Sequence, residues 1–134
     1  MRTVLIVEDT DLCSEALEVA LARVPNVEVR AVSTAEEALR YLGSANICAL
    51  VTDLHLPSMS GFDLIEAVRS RPPGNASGGP ALPILVISGD SDPHTPERLH
   101  RLGANAYFGK PYSPAEVRQK VEQLLDANLP SHSP

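Results

Sequence analysis

LVTDLHLPSMSGFDLI, residues 50–65, passes from an apolar run through one aspartate into a loop that contains proline and glycine, and then into a helical pattern. Asp53 therefore ends what is predicted to be a buried strand. An ionised carboxylate in such a place costs several kcal/mol unless a cation or hydrogen-bond donors compensate for its charge. Asp53 thus needs either a structural partner or a chemical role.

Short apolar runs rich in Val, Leu and Ile alternate along the chain with segments whose apolar residues recur at helical spacing. The predicted strands are residues 3–7, 27–31, 48–53, 84–88 and 104–108. This alternation predicts an α/β fold, a doubly wound five-stranded parallel sheet with five helices and right-handed crossovers. Thr34 with Glu37 predicts a capping box for the second helix, and Ser113 with Pro114 begins the last helix.

Composition excludes several classes of function. The chain has 134 residues, of which 43% are hydrophobic, which suits one globular domain with a buried core. Its formal net charge of -6 disfavours direct binding to nucleic acid or to an anionic membrane. Cys13 and Cys48 lie in apolar segments and are expected to be buried free thiols, which suits a reducing cytoplasm. We find no signal peptide and no transmembrane segment in the sequence.

The predicted domain covers residues 1–127. Within it, RPPGNASGGPALP, residues 71–83, is expected to be a flexible loop before the fourth strand. The last residues, NLPSHSP at 128–134, are expected to be a disordered tail or a truncated linker. The chain is thus either a single-domain protein or a domain cut from a longer one.

Ligands of a doubly wound sheet bind at the carboxyl ends of its strands. The polar residues predicted at those ends are Glu8, Asp9, Asp53, Ser88 and Lys110. Each could be structural by itself, as a helix cap or a surface charge. Together, three clustered carboxylates repel one another unless a cation shares the site. Mg²⁺ suits such a cluster, because it binds carboxylate oxygens and keeps positions for water and phosphate oxygens.

Four segments in this order resemble the receiver domain of two-component response regulators: LIVEDT, LVTDLHLPSMSG, ILVISGD and AYFGKP. The resemblance covers residues 3 to about 127. It implies a flavodoxin-like sheet with strand order 2-1-3-4-5. It also implies that Asp53 is the phosphoacceptor and that Glu8, Asp9, Asp53 and the main-chain carbonyl of His55 bind Mg²⁺.

The resemblance further implies that Ser88 hydrogen-bonds the aspartyl phosphate and that Lys110 pairs with it. Aspartate can act as a nucleophile toward phosphorus, and the cations neutralise charge on the phosphoryl oxygens. Tyr107 has an apolar ring and a polar tip, so it can be exposed or packed inward. We therefore expect Ser88 and Tyr107 to form a switch that changes the surface built from the fourth helix, the fifth strand and the fifth helix.

The implied phosphoryl donor is a phosphohistidine on a sensor histidine kinase or a histidine phosphotransfer protein. The domain would catalyse its own phosphorylation and dephosphorylation without being a turnover enzyme. A homodimer stays an open alternative, and the output that the domain controls is not readable from the sequence.

Three other functions were weighed. A flavodoxin-like electron carrier needs a phosphate-binding loop after the first strand, and the acids of EDTD would repel a flavin phosphate. A haloacid-dehalogenase-type phosphatase needs a second aspartate where this chain has His55. The strongest alternative is a receiver fold that acts as an interaction module without phosphorylation. Such modules usually lack the acceptor, an acid or the lysine, and this chain has all of them.

The chain departs from the family pattern at Gly89, where alanine is usual, and at Pro93 and Pro96, which predict a short fourth helix that begins late. His55 and Asp90 are expected to tune the lifetime of the aspartyl phosphate. The Lys110–Pro111 bond is predicted to be cis, because a tight turn must direct the lysine toward the acids.

Overall fold

The computed structural model describes residues 2–44, 46–71, 82–89 and 91–127. Within them, strands and helices alternate as β1 (Arg2–Val7), α1 (Asp11–Leu21), β2 (Val27–Val32), α2 (Ala35–Ser44), β3 (Ile47–Asp53), α3 (Gly61–Arg69), β4 (Ile84–Ser88), α4 (Thr95–Leu102), β5 (Ala106–Gly109) and α5 (Pro114–Ala127). The strands are parallel and lie in the order β2-β1-β3-β4-β5. The predicted fold class and strand order are confirmed.

Alternate side chains of the central strands enter two apolar clusters, one on each face of the sheet. In β4, Ile84 and Val86 belong to the first cluster, and Leu85 and Ile87 belong to the second. Helices α2, α3 and α4 supply the helical part of the first cluster, and α1 and α5 supply that of the second. Burial on both faces explains why β1, β3 and β4 are nearly continuous apolar runs.

The last predicted strand is wrong at its start, because residues 104 and 105 precede β5. The N–H of Ala104 donates to the carbonyl of Leu99 (2.9 Å), and the N–H of Gly103 donates to that of His100 (3.0 Å). Gly103 has a φ of 101°. These two bonds around a left-handed glycine form the turn that ends α4, so the chain becomes extended only afterwards.

Other local predictions are confirmed. Helix α4 has eight residues and begins at Thr95, with Pro96 in its first turn. The Glu37 N–H donates to Thr34 Oγ1 (3.1 Å), and the Glu116 N–H donates to Ser113 Oγ (3.3 Å). The Lys110–Pro111 bond is cis.

Cys48 is a half-buried free thiol on β3, and burial raises its pKa. The side chain of Cys13, residue 90, most of the predicted loop (72–81) and the predicted tail (128–134) lie outside the described residues. Among the helices that are described, we find none that is long and apolar enough to cross a membrane.

Arg69 joins three elements at the amino-terminal edge of β4 and β5. From the last turn of α3, its guanidinium donates to the carbonyls of Leu82 (2.7 Å) and Gly103 (3.1 Å, from Nε) and to Asn105 Oδ1 (3.1 Å). Asn105 Oδ1 also accepts the N–H of Ile84 (2.8 Å). Burial lowers the pKa of Arg69. The arginine therefore fixes α3, the start of β4 and the α4–β5 turn relative to one another.

We predict that Arg69→Met lowers the free energy of unfolding by about 2–3 kcal/mol, because part-buried acceptors lose a charged donor. Urea denaturation followed by circular dichroism measures the change. Arg101→Met, at an exposed position on α4, is the matched control and should stay within about 0.5 kcal/mol of the parent chain. Equal stability of the two variants would contradict the role of Arg69.

Candidate functional site

The predicted site residues meet at the carboxyl edge of the sheet. Glu8 directly follows β1, and its N–H donates to the carbonyl of Val32 (3.0 Å). Asp53 and Ser88 are the last residues of β3 and β4. Lys110 follows β5, and its N–H donates to the carbonyl of Ser88 (2.8 Å). Parallel pairing thus brings to one edge groups that are up to 102 residues apart in the chain.

Lys110 bridges two buried carboxylates. Its Nζ lies 2.8 Å from Asp53 Oδ2 and 3.4 Å from Glu8 Oε2. Asp53 is 3% exposed and Glu8 is 4% exposed. Burial raises the pKa of Glu8, and the nearby charge of Asp53 raises it further, while Lys110 and the Thr10 N–H oppose this. The site therefore concentrates negative charge that one lysine only partly offsets.

Backbone donors orient both acids. The N–H of His55 donates to Asp53 Oδ1 (3.1 Å), so each oxygen of Asp53 has a defined partner. The N–H of Thr10 donates to Glu8 Oε1 (3.2 Å). These bonds hold the carboxylates in place before any ligand binds, which is the kind of preorganisation that charge stabilisation needs.

Asp9 completes a group of three acids. One carboxylate oxygen from each of Glu8, Asp9 and Asp53 lies within 4.8 Å of the other two, and Asp9 is exposed. Two oxygens bound to one Mg²⁺ are about 3–4 Å apart, given metal–oxygen distances near 2.1 Å. The three acids are thus spaced almost closely enough to share one such ion, and Asp9 leaves the group open to solvent. This donor set fits Mg²⁺.

The loop between β3 and α3 packs directly on the backbone of Asp53. The Gly61 N–H donates to the carbonyl of Leu54 (2.9 Å), and Ser60 Oγ accepts the N–H of Asp63 (3.2 Å). A Cβ on Gly61 would lie 2.4 Å from the carbonyl oxygen of Asp53. Only glycine allows this approach. Ser58 has a φ of 68°, a left-handed conformation that costs about 1–2 kcal/mol.

Ser88 lies on β4, the strand next to that of Asp53, and Tyr107 lies one strand further along, on β5. Ser88 is fully buried, whereas Tyr107 is partly buried and packs against the first apolar cluster. The Tyr107 hydroxyl lies 4.0 Å from where a Cβ on Gly109 would be. The tyrosine tip is therefore close to the carboxyl end of β5, one residue before Lys110.

Two features of the site were not predicted from the sequence. One is the N–H of Thr10 that binds Glu8, and the other is the contact between Gly61 and Asp53. The second had a signal, since a glycine at the first helical position after a serine cap is unusual enough to suggest a close backbone approach. The first had none, because any residue except proline supplies an N–H.

A family model for the response regulator receiver domain matches residues 4–122. The chain belongs to this family. It is 31% identical over 124 residues to the transcriptional regulatory protein GltR of Pseudomonas aeruginosa, covering 92% of this chain and 49% of that protein. This receiver domain thus spans about half the length of that relative.

Solved structures agree with the family. A putative response regulator from Chloroflexus aurantiacus is 34% identical with a TM-score of 0.81, covering 93% of this chain and 98% of that one. The receiver domain of the sensor histidine kinase PA1611 from Pseudomonas aeruginosa was solved with a magnesium ion in its active-site cleft. It has a TM-score of 0.78 at 22% identity, covers 93% of this chain and 98% of that one, and shows a shared fold.

We predict that Gly89→Ala raises the free energy of unfolding by about 0.4–1 kcal/mol, because alanine has fewer unfolded conformations to lose. The new Cβ would meet only the side chain of Lys110, at 3.9 Å from its Cδ, and φ at Gly89 lies outside the left-handed region. Urea denaturation measures the effect.

Gly61→Ala is the opposing control. Its Cβ would meet rigid backbone at 2.4 Å and 2.7 Å, so we expect a loss of about 3 kcal/mol. A destabilised Gly89→Ala or a neutral Gly61→Ala would show that the backbone at these glycines differs from the arrangement described.

Proposed function

We propose that Asp53 accepts a phosphoryl group from a phosphohistidine and that the receiver domain changes conformation as a result. The observation that carries the proposal is the meeting of Glu8, Asp9, Asp53 and Lys110 at one sheet edge. Two buried acids and a lysine are a costly arrangement for stability alone, since hydrophobic replacements of buried ion pairs are often as stable. Charge-rich, preorganised sites of this kind are typical of functional centres.

Glu8, Asp9, Asp53 and the main-chain carbonyl of His55 would hold Mg²⁺. The spacing of the three carboxylates supports this, as does the magnesium ion in the cleft of the PA1611 receiver domain. When bound, the ion would offset the negative charge of the phosphoryl oxygens. The phosphoryl donor would then be repelled less strongly by the three carboxylates.

In the transfer, one Asp53 carboxylate oxygen forms a bond to phosphorus while the P–N bond of the phosphohistidine breaks. The electron pair of that bond returns to the imidazole nitrogen of the donor. The other ring nitrogen of that imidazole carries a proton, so the donor leaves as a neutral histidine. Asp53 loses its own negative charge in the new acyl phosphate, and the phosphoryl oxygens bring their two negative charges into the site. Lys110, now 2.8 Å from Asp53 Oδ2, would follow the charge and pair with a phosphoryl oxygen.

Ser88 and Tyr107 would carry the response away from Asp53. Ser88 ends the strand next to β3, so its hydroxyl can turn toward a phosphoryl group. Tyr107 is partly buried beside α4 and shares a surface groove with Pro96, Leu99 and His100. A change in the serine would alter the space available to the tyrosine, and the groove would change shape with it.

The partners follow from this chemistry. A phosphohistidine donor requires a sensor histidine kinase or a phosphotransfer protein, and PA1611 is a sensor histidine kinase that carries a receiver domain of the same fold. Residues 1–127 would form the whole receiver domain. GltR is a transcriptional regulatory protein about twice as long as this chain, so an output of that kind would lie in a further domain.

We predict that acetyl phosphate and Mg²⁺ add one acid-stable, base-labile phosphoryl group to the chain and none to Asp53→Asn. The reason is that an amide lacks the nucleophilic carboxylate oxygen. Intact-mass measurement detects the group. Asp63→Asn, an exposed carboxylate in the first turn of α3, is the control and should label fully.

Full labelling of Asp53→Asn would show that another residue accepts the phosphoryl group. If neither the parent chain nor Asp53→Asn is labelled, the result would favour the alternative, a receiver fold that works as an interaction module without phosphorylation.

We predict that Asp9→Ala weakens Mg²⁺ binding by at least about tenfold, because loss of even an outer-sphere partner typically costs that much. Asp9 is exposed, so the fold should be unaffected. Calorimetric titration with Mg²⁺ gives the affinity. The control is Glu15→Ala, because Glu15 is an exposed acid of α1 outside the group of three, and it should bind Mg²⁺ as the parent does. If both variants lose the same affinity, the loss reflects only the change in net charge, and Asp9 is not a ligand.

A further inference from the structure

Two arginine contacts join α4 to α3. Arg98 of α4 places its guanidinium carbon 3.8 Å from the centroid of the Phe62 ring, near the start of α3. Arg69, in the last turn of α3, donates to the carbonyl of Gly103, which ends α4. The start of α3 is thus tied to the middle of α4, and the end of α3 to the end of α4.

The two contacts differ in strength. Arg69 makes several hydrogen bonds, among them one to the part-buried carbonyl of Leu82 and one to the exposed Asn105, both outside α4. Arg98 is exposed and stacks on one ring. An exposed cation–π pair is weak, so this contact opens far more readily than the hydrogen-bonded one. Gly103 is therefore the firmly held end of α4, and Arg98, in the middle of the helix, makes the contact that opens more readily.

Phe62 is closely coupled to the acceptor site. It follows Gly61, and a Cβ on Gly61 would lie only 2.4 Å from the carbonyl oxygen of Asp53. The Gly61 N–H also bonds the carbonyl of Leu54. Because these backbones touch without a gap, a shift of the Asp53 backbone must displace the start of α3 and the ring of Phe62.

We propose that Phe62 and Arg98 form a latch that holds α4 in the unphosphorylated arrangement. The latch rests on the proposed function, since phosphorylation of Asp53 is what opens it. The stacking stabilises only the arrangement in which α4 lies against Phe62. It therefore opposes any state in which α4 turns about Gly103 and carries Arg98 away from the ring. Phe62 and Arg98 are positioning residues, and they act separately from Ser88 and Tyr107.

The test is the affinity for beryllofluoride, which stands in for the phosphoryl group, measured with Mg²⁺ by amide NMR titration of the whole chain. Arg98→Gln should bind beryllofluoride about two- to fivefold more tightly than the parent, which is the worth of an exposed cation–π pair. Arg101→Gln, with the same charge change on the same helix, should bind as the parent does.

A double-mutant cycle ties the effect to the ring. Phe62→Leu keeps an apolar side chain in the first cluster, and it should also tighten binding. Adding Arg98→Gln to Phe62→Leu should then have no further effect, because the pair is already broken. Urea denaturation of each variant separates the latch from a contact that only stabilises the fold, which would lower stability and leave the affinity unchanged.

Unchanged or weaker binding by Arg98→Gln would overturn the latch while the proposed function stands. Additive effects in the cycle would overturn it too. If the parent chain itself fails to bind beryllofluoride at Asp53, the proposed function falls, and the latch falls with it.

Discussion

The ion pair between Lys110 and Asp53 is the interaction on which the rest of the site depends. Asp53 and Glu8 are buried at neighbouring strand ends, and their charges repel. Lys110 contacts both, at 2.8 Å and 3.4 Å, and so joins the ends of β1, β3 and β5 at one point. Such a cluster contributes little net stability, because desolvation of the charges offsets their attraction. In the proposed function its role is chemical, because the arrival of a phosphoryl group changes the balance of charge around Asp53.

Backbone contacts connect the site to the neighbouring elements. The carbonyl of Ser88 accepts the N–H of Lys110, and Gly61 lies directly against the carbonyl of Asp53. Main-chain atoms therefore attach Lys110 to β4 and Asp53 to the start of α3, and main-chain atoms move less freely than side chains. The left-handed Ser58 shows that the loop after Asp53 is held in one conformation at some energetic cost. In the proposed function, a shift at Asp53 can thus reach neighbouring elements by two routes, one through β4 and β5 and one through α3.

Both routes lead to α4, in which Thr95 and Leu99 are buried and most other side chains are exposed. The helix is short, begins late because of its prolines, and is joined to α3 by an exposed stacking contact and by the half-buried Arg69. Regions that open at low energy are the ones available for switching. In the latch proposed above, the hydrogen-bonded Arg69 holds the end of α4, and the weaker Arg98 contact leaves the middle of the helix able to move.

We could predict the alternation of strands and helices, the strand-end acids, the lysine and the helix caps from the sequence alone, because periodicity and capping are local properties of the chain. The sequence pattern misplaced the start of β5, since the turn around Gly103 depends on carbonyls of the preceding helix. Tertiary structure was needed to show that Lys110 bridges Glu8 and Asp53, that Gly61 touches Asp53, and that Arg98 stacks on Phe62. Apart from the signal that a glycine after the serine cap gives for Gly61, the spacing of these residues in the chain does not specify the contacts. They exist because parallel pairing and two-sided packing bring distant segments together.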